Sequence, residues 1–181
     1  MRYTRNLTRA CIIVSLLGGT IAPVLGDRSI DFEKTVDVKR AYLIESMTNY
    51  TNYPNIFRGT INSASLVSNN TVQIQGAVGL FSFKELVTPT TLPNGSYEID
   101  VVSGELQGTK ITSTFVSTWG FDGTPNGGTL VKTSLSLEAP SWLTSVALSM
   151  VSDDQIKSSM DSAIYRFSLN AKNLQSSNIT K

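Results

Sequence analysis

The side chains that could do chemistry in this chain are carboxylates, hydroxyls and amines, because the sequence contains no histidine. Ser-His-Asp and Cys-His catalysis and His-ligated metal sites are therefore excluded. The commonest general base near neutral pH is also missing. The single cysteine, Cys11, lies near the N-terminus, outside the part of the chain that is patterned to fold. We therefore expect no disulfide, no metal and no cofactor.

Glu85 is the acid that comes closest to a candidate catalytic group, because it lies beside Phe83 in an apolar strand pattern. The other acids of the strand patterns, such as Asp31 and Glu98, alternate with apolar residues and are expected on outward faces. No two carboxylates stand at a spacing that suggests a catalytic pair. The sequence therefore assigns no catalytic residue, and it favours a structural role for Glu85.

Residues 1–26 read as a secretory signal peptide. Arg2, Arg5 and Arg9 form a basic region, an apolar run follows from Ala10 to Leu17, and small residues lie around Gly26. The run is short for a membrane span, which needs about 20 residues. We expect a secreted or extracytoplasmic protein, with an uncleaved N-terminal signal anchor as the alternative.

Without this segment, twelve basic residues remain against fourteen acidic ones, a net charge of about −2. No basic stripe suggests nucleic acid as a partner. The remaining chain is long enough for a single core. We therefore predict one domain over residues 27–175, a disordered tail over 176–181, and a monomer.

Four Asn-x-Ser/Thr triplets are glycosylation candidates, which would agree with export. Such triplets are also frequent by chance in a chain rich in Ser, Thr and Asn. The candidate asparagines are Asn49, Asn69, Asn94 and Asn178.

The strongest pattern is a helix from Ser152 to Leu174, in which apolar residues recur at offsets of three, four and seven. Ser152 and Gln155 fit a capping box at its start. Such an amphipathic helix must bury its apolar stripe against other elements. The segment before it, Pro140 to Val151, fits either the first part of this helix or a mobile loop.

The rest of the chain reads as strands, interrupted early by two short helices, Lys39–Tyr50 and Pro54–Arg58. Alternating apolar residues and turn residues predict seven strands joined mainly by hairpin-length connections, so the sheet should be antiparallel. The predicted strands are Ser29–Val38, Thr60–Val67, Thr71–Leu80, Phe81–Val87, Tyr97–Val102, Lys110–Trp119 and Thr129–Leu137.

This order of elements predicts an α+β fold, a curved sheet wrapped on a long C-terminal helix. It resembles the START-like (SRPBCC) superfamily with the helix-grip, or Bet v 1-like, fold, over Ser29 to Leu174. The features that carry the resemblance are the opening strand Phe32–Val38, Asn52-Tyr53-Pro54 with Phe57, Ile99 with Gly104 and Gly108-Thr109, and Gly127-Gly128-Thr129 before the last strand. The spacing looks most like the coenzyme Q-binding and polyketide-cyclase branches. Family members often have a proline soon after the first strand, where this chain has Lys39-Arg40-Ala41.

The resemblance implies a hydrophobic small molecule, such as a lipid or an isoprenoid quinone, bound between sheet and helix without covalent chemistry. Movement of the Pro140 to Val151 segment would gate its entry. Ordinary core packing is the competing interpretation for every residue of the expected pocket lining. The candidates are Phe57, Ile74, Phe83, Ile99, Phe115, Leu135, Trp142, Met150, Met160, Ile164 and Phe167.

The two tryptophans have different expected roles. Trp119 should cover the sheet edge at the end of its strand, whereas Trp142 could cover the pocket mouth, make transient contact with a membrane or pack locally. Two other functions stay open: a cell-surface interaction domain with a filled core, and a cyclase- or aromatase-type enzyme in which a Tyr or an acid moves protons.

Overall fold

A computed structural model describes residues 28–78, 81–138 and 151–179. Its strands are β1 (Arg28–Val36), β2 (Ile61–Ser68), β3 (Thr71–Val78), β4 (Phe81–Thr91), β5 (Tyr97–Ser103), β6 (Lys110–Thr118) and β7 (Gly128–Leu137). Its α-helices are α1 (Arg40–Thr48), α2 (Tyr53–Ile56) and α3 (Asp153–Ile179), with a 3-10 turn (Tyr50–Asn52) between α1 and α2. Residues 1–26, Trp142 and Met150 lie outside the described residues, as does all of the Pro140 to Val151 segment except Val151.

In the described residues, seven strands form one antiparallel sheet in the order β1-β7-β6-β5-β4-β3-β2. Each strand from β2 to β7 therefore pairs with its neighbour in sequence, while β1 crosses over to pair with β7. Both edge strands reach the helices: β1 approaches α3, and β2 approaches α2. The sheet is thus curved around the helical layer, and the predicted α+β helix-grip architecture is confirmed.

The core lies between the inner face of the sheet and the helices. Alternate residues of β1, β6 and β7, among them Val36, Phe115 and Val131, point to this side and are buried. Ile164 and Phe167 of α3 belong to the same apolar cluster as these residues. The interior faces of β1 and β7 are therefore closed by the long helix.

Helix α3 begins with the predicted capping box. The Ser152 N–H donates to Gln155 Oε1 at 2.9 Å, and the Gln155 N–H donates to Ser152 Oγ at 3.2 Å. The helix continues beyond the predicted Leu174 to Ile179. In residues 176–179 the Ser176 and Ser177 hydroxyls donate to carbonyls one turn back.

Polar contacts fix α3 along the edge of the sheet and against α1. Arg28 and Lys34 of β1 pair with Asp153 and Asp161 of the helix. Buried Ser46 of α1 donates to the Phe167 carbonyl at 3.0 Å. These contacts span the helix from its first turn to its middle, so its position over β1 is well determined.

Strand β4 runs to Thr91, beyond the predicted end at Val87, and therefore includes Pro89. Pairing of β4 with β3 ends at Val72 opposite Val87, and beyond it β4 pairs only with β5. A proline lacks the N–H that a sheet interior needs, but it is tolerated where one side of the strand has no partner. Pro89 therefore lies within the strand, opposite Ile99.

Trp119 does not cover the sheet edge, and that prediction was wrong. Strand β6 ends at Thr118, and the chain then turns at Gly120, whose N–H donates to the Thr124 carbonyl at 2.8 Å. The Trp119 side chain is consequently 68% exposed.

Candidate functional site

The candidate site is the part of the inner sheet face that lies away from α3. The backbone of α3 approaches β1, α1 and α2. Farther from this helix, on β3 to β6, four inward apolar side chains keep partial exposure: Ile74, Phe83, Ile99 and Ile111. By contrast, Ile30 and Leu135 on β1 and β7 are buried. We call the inner side of β3 to β6 the half-open part of the inner face, because these four side chains stay partly exposed among buried neighbours such as Val72, Val87 and Val101.

One apolar row crosses the strands from the half-open part to β1. Ile99 is opposite Ile111, Ile111 is opposite Leu135, and Leu135 is opposite Ile30. Met160 of α3 is partly buried and packs against the Leu135 end of this row. A flat apolar ligand lying along the row would replace water on Ile99 and Ile111 and would contact the helix at Met160.

The next row across the sheet is polar. Tyr97 is opposite Ser113, and Ser113 is opposite Thr133. Ser113 and Thr133 share a hydrogen bond of 3.0 Å between their hydroxyls. The Tyr97 hydroxyl is buried with no hydrogen-bond partner among the described residues. A few placed polar groups beside an apolar surface are typical of small-molecule sites.

Sequence reasoning missed Tyr97 as a candidate, although a signal was available. Tyr97 and Ile99 are two residues apart in one strand, so both side chains must lie on the same face. A tyrosine on an inward face needs a partner for its hydroxyl, and the sequence does not show whether one is present.

Glu85 lies on the inner face, and only 7% of it is exposed. Its Oε1 accepts a hydrogen bond of 3.0 Å from the Glu105 N–H, in the turn between β5 and β6. Burial raises the pKa of the Glu85 carboxyl, and backbone hydrogen bonds from Leu106 and Glu105 oppose this shift. Gly104 adopts a positive φ of 122°, and a Cβ there would collide with this carboxyl. Glu85 therefore anchors a tight turn.

The nine predicted pocket residues that the structure describes divide into three groups. Phe115, Leu135, Ile164 and Phe167 are buried in the packed half of the core. Phe57 joins an aromatic cluster, 5.0 Å from Phe167 and 5.8 Å from Tyr53 between ring centroids. Ile74, Phe83, Ile99 and Met160 keep partial exposure on the inner side. This third group is the one that solvent reaches on the inner side.

An open recess of about 420 Å³ lies at the β2–β4 side of the sheet. One predicted pocket residue, Phe83, belongs to its wall. Most of the wall is polar, so the recess is distinct from the apolar row. Its lining residues are Asn62, Gln75, Gly76, Ser82, Phe83, Lys84 and Glu105.

The four sequon asparagines, Asn49, Asn69, Asn94 and Asn178, are exposed. Asn49 accepts a hydrogen bond of 2.8 Å from the hydroxyl of Thr51, the third residue of its own triplet. None of the helices in the described part of the chain combines the length and hydrophobicity that a membrane span requires. Within the same part, no three His, Cys, Asp or Glu side chains gather where they could hold a metal ion.

The sequence matches no family model and no curated protein. Solved structures do share the fold. A START superfamily protein from Mycobacterium smegmatis has a TM-score of 0.60 at 9% identity, covering 82% of this chain and 99% of its own.

Two enzymes are also similar in structure. The Zhui aromatase/cyclase from a Streptomyces strain has a TM-score of 0.64 at 9% identity, covering 81% of this chain and 94% of its own. Norcoclaurine synthase from Thalictrum flavum, in complex with dopamine and hydroxybenzaldehyde, has a TM-score of 0.53 at 10% identity. That match covers 77% of this chain and 86% of the synthase. This chain therefore has the START-like helix-grip fold. Its structural neighbours include both a START superfamily protein and enzymes.

Proposed function

We propose that this protein binds a hydrophobic small molecule, of the lipid or isoprenoid quinone class, on the half-open part of the inner face, with one end of the molecule against Met160 of α3. The observation that carries the proposal is the apolar row from Ile99 to Ile30, which is buried at one end and partly exposed at the other. Burying apolar surface contributes about 25 cal/mol per Å², so such a row can supply affinity without covalent chemistry.

The polar row next to it would orient the ligand. The Tyr97 hydroxyl can donate one hydrogen bond, and a ligand carbonyl or hydroxyl placed over this row would accept it. A molecule with a long apolar body and one polar head fits this arrangement. The START superfamily neighbour supports a binding role through its shared fold.

Export is a further part of the proposal, and it follows from the basic and apolar pattern of residues 1–26. The ligand would then be held outside the cytoplasm. A secreted or N-terminally anchored binding protein needs no disulfide when its core is as continuous as the one between the sheet and α3.

The proposal is tested by thermal unfolding in the presence of a panel of phospholipids, fatty acids and isoprenoid quinones. A ligand at about 100 times its dissociation constant should raise the melting temperature by roughly 5 °C or more. Two variants in β5 locate the site: Ile99→Asn on the inner face and Val102→Asn on the outer face. The shift should be lost in Ile99→Asn and kept in Val102→Asn.

The proposal is wrong if no member of the panel shifts the wild-type transition. Equal shifts in the two variants would place any bound ligand elsewhere on the protein. Because Ile99→Asn can lower stability by itself, the comparison uses the ligand-induced shift of each variant relative to its own ligand-free transition.

An enzyme of the cyclase or aromatase kind is the second candidate, favoured by the inner-face position of Glu85 and by the two enzymes of similar fold. Tyr50 packs against the same part of the sheet, and burial raises its pKa to about 12. Turnover that Glu85→Gln abolishes, without loss of ligand binding, would favour the enzyme. If no small molecule binds in the interior, the third interpretation is favoured, a cell-surface interaction domain with a filled core.

A further inference from the structure

The loop between β6 and β7 carries two large aromatic side chains that are exposed to solvent. Trp119 is 68% exposed and Phe121 is 73% exposed. A single exposed apolar residue is ordinary, but two large aromatics so close on one loop form a patch that favours a partner. Neither side chain is buried in the core of the protein.

Hydrogen bonds hold this loop in its exposed position. The Phe121 N–H donates to Asp37 Oδ1 at 2.9 Å, which ties the loop to the end of β1. The Thr124 N–H donates to Asp122 Oδ1 at 2.9 Å, and the Thr124 carbonyl accepts from Gly120 and Gly127. The aromatic pair is thus presented by a defined turn.

Cationic side chains lie at the same end of the molecule. Lys172 of α3 pairs with the other oxygen of Asp37 at 3.4 Å, and Lys39 follows two residues after Asp37. Arg40 lies beside Gly95, in the neighbouring turn between β4 and β5. Exposed aromatics flanked by Lys and Arg fit the chemistry of a phospholipid surface, with its apolar boundary and its phosphates.

We propose that the loop 119–127 is a membrane-docking surface that places Trp119 and Phe121 in the headgroup region of a phospholipid bilayer. Asp122 sets the depth of this contact. Hydrogen bonds from Thr124 lower the pKa of its carboxyl, so it stays charged and is costly to bury in hydrocarbon. The contact is therefore shallow and peripheral. It does not depend on the proposed interior ligand.

Co-sedimentation of the full chain with vesicles tests this surface, using phosphatidylcholine alone and with added phosphatidylglycerol. The double variant Trp119→Ser/Phe121→Ser should lose at least about tenfold in partitioning, because two large apolar groups no longer leave water. Val102→Ser, an exposed apolar change at the far end of β5, should partition as the wild type does. Equal partitioning of wild type and double variant would overturn the proposal.

A second readout reports the loop itself. The chain has two tryptophans, so in the variant Trp142→Phe all tryptophan emission comes from Trp119. Vesicles should shift this emission to the blue, and lipids brominated near the headgroup should quench it. Unchanged emission would overturn the proposal even if the N-terminal segment binds the vesicles. Self-association that the double variant loses, without vesicle binding, would assign the patch to a second copy and would also overturn it.

All of these measurements are made without added ligand. Failure of vesicle binding therefore leaves the interior-ligand proposal intact, and a lack of thermal shifts with the lipid and quinone panel leaves the docking surface intact. The two proposals can fail separately.

Discussion

At the scale of single residues, the inner face carries two polar groups whose burial costs free energy. Tyr97 presents a hydroxyl with no hydrogen-bond partner in the described part of the chain, and Glu85 presents a carboxyl with one oxygen in the same condition. An unsatisfied buried polar group costs about 1–3 kcal/mol. These two positions are therefore where substitutions should change stability measurably.

Tyr97→Phe should stabilise the ligand-free protein. The substitution keeps the ring, which is 94% buried within the core, and removes only the unpaired hydroxyl. We expect the free energy of unfolding in urea to rise by about 1–3 kcal/mol, while affinity for a ligand with a polar head falls. A lower free energy of unfolding would mean that the hydroxyl already makes a stabilising hydrogen bond.

Glu85 should make stability depend on pH. Burial raises the pKa of its carboxyl above the ordinary value of 4.5, so the folded state favours the protonated form. Its contribution to stability is complete below pH 4.5 and is lost as the pH rises through the raised pKa.

The variant Glu85→Gln should lose that part of the pH dependence and be at least as stable as wild type at neutral pH. Urea unfolding at several pH values measures it, with Glu45→Gln, an exposed change on α1, as the control. A Glu85→Gln protein whose stability falls with pH as steeply as the wild type would contradict the assignment.

At the scale of elements, the position of α3 determines which half of the sheet is closed. Ser46 is central to this, because it is fully buried and links α1 to the helix. It donates to the Phe167 carbonyl and accepts from the Asn170 amide at 2.9 Å. The packing of α3 against α1 thus rests on hydrogen bonds as well as on apolar contact.

Ser46→Ala should lower the free energy of unfolding by about 1–3 kcal/mol, since the Asn170 amide and a carbonyl lose their partner. Ser159→Ala is the matched control. Its hydroxyl also donates to a backbone carbonyl, but at an exposed position on α3, and its effect should stay within about 0.5 kcal/mol. Chemical denaturation compares the two, and equal effects would contradict the proposed role of Ser46.

Most elements could be predicted from the sequence, because local periodicity and capping determine them. The alternation in β7 and the Ser152–Gln155 capping box are features of neighbouring residues. Pro89 and Trp119 could not be placed in this way, since Pro89 depends on where β3 stops pairing and Trp119 on where the loop turns. The sequence also could not show which inward side chains stay partly exposed, because their exposure depends on which strands α3 approaches.

At the scale of the whole molecule, the fold is shared with proteins of about 10% identity, so the fold alone leaves open which ligand is bound. The two proposals rest on two features of this chain: the half-open apolar row beside Tyr97, and the exposed aromatic loop at the end of the sheet. Taken together, the proposals describe a carrier that takes up a ligand at a membrane and holds it on the inner face of the sheet.

Native mass spectrometry of the protein purified from its natural source, followed by solvent extraction, tests the central claim most directly. We expect one lipid or isoprenoid quinone per protein, recovered in the extract and lost from the Ile99→Asn variant but kept by Val102→Asn. A protein that carries nothing, and that takes up no member of the lipid and quinone panel, would contradict the claim. It would then favour a filled interior and a function on the surface.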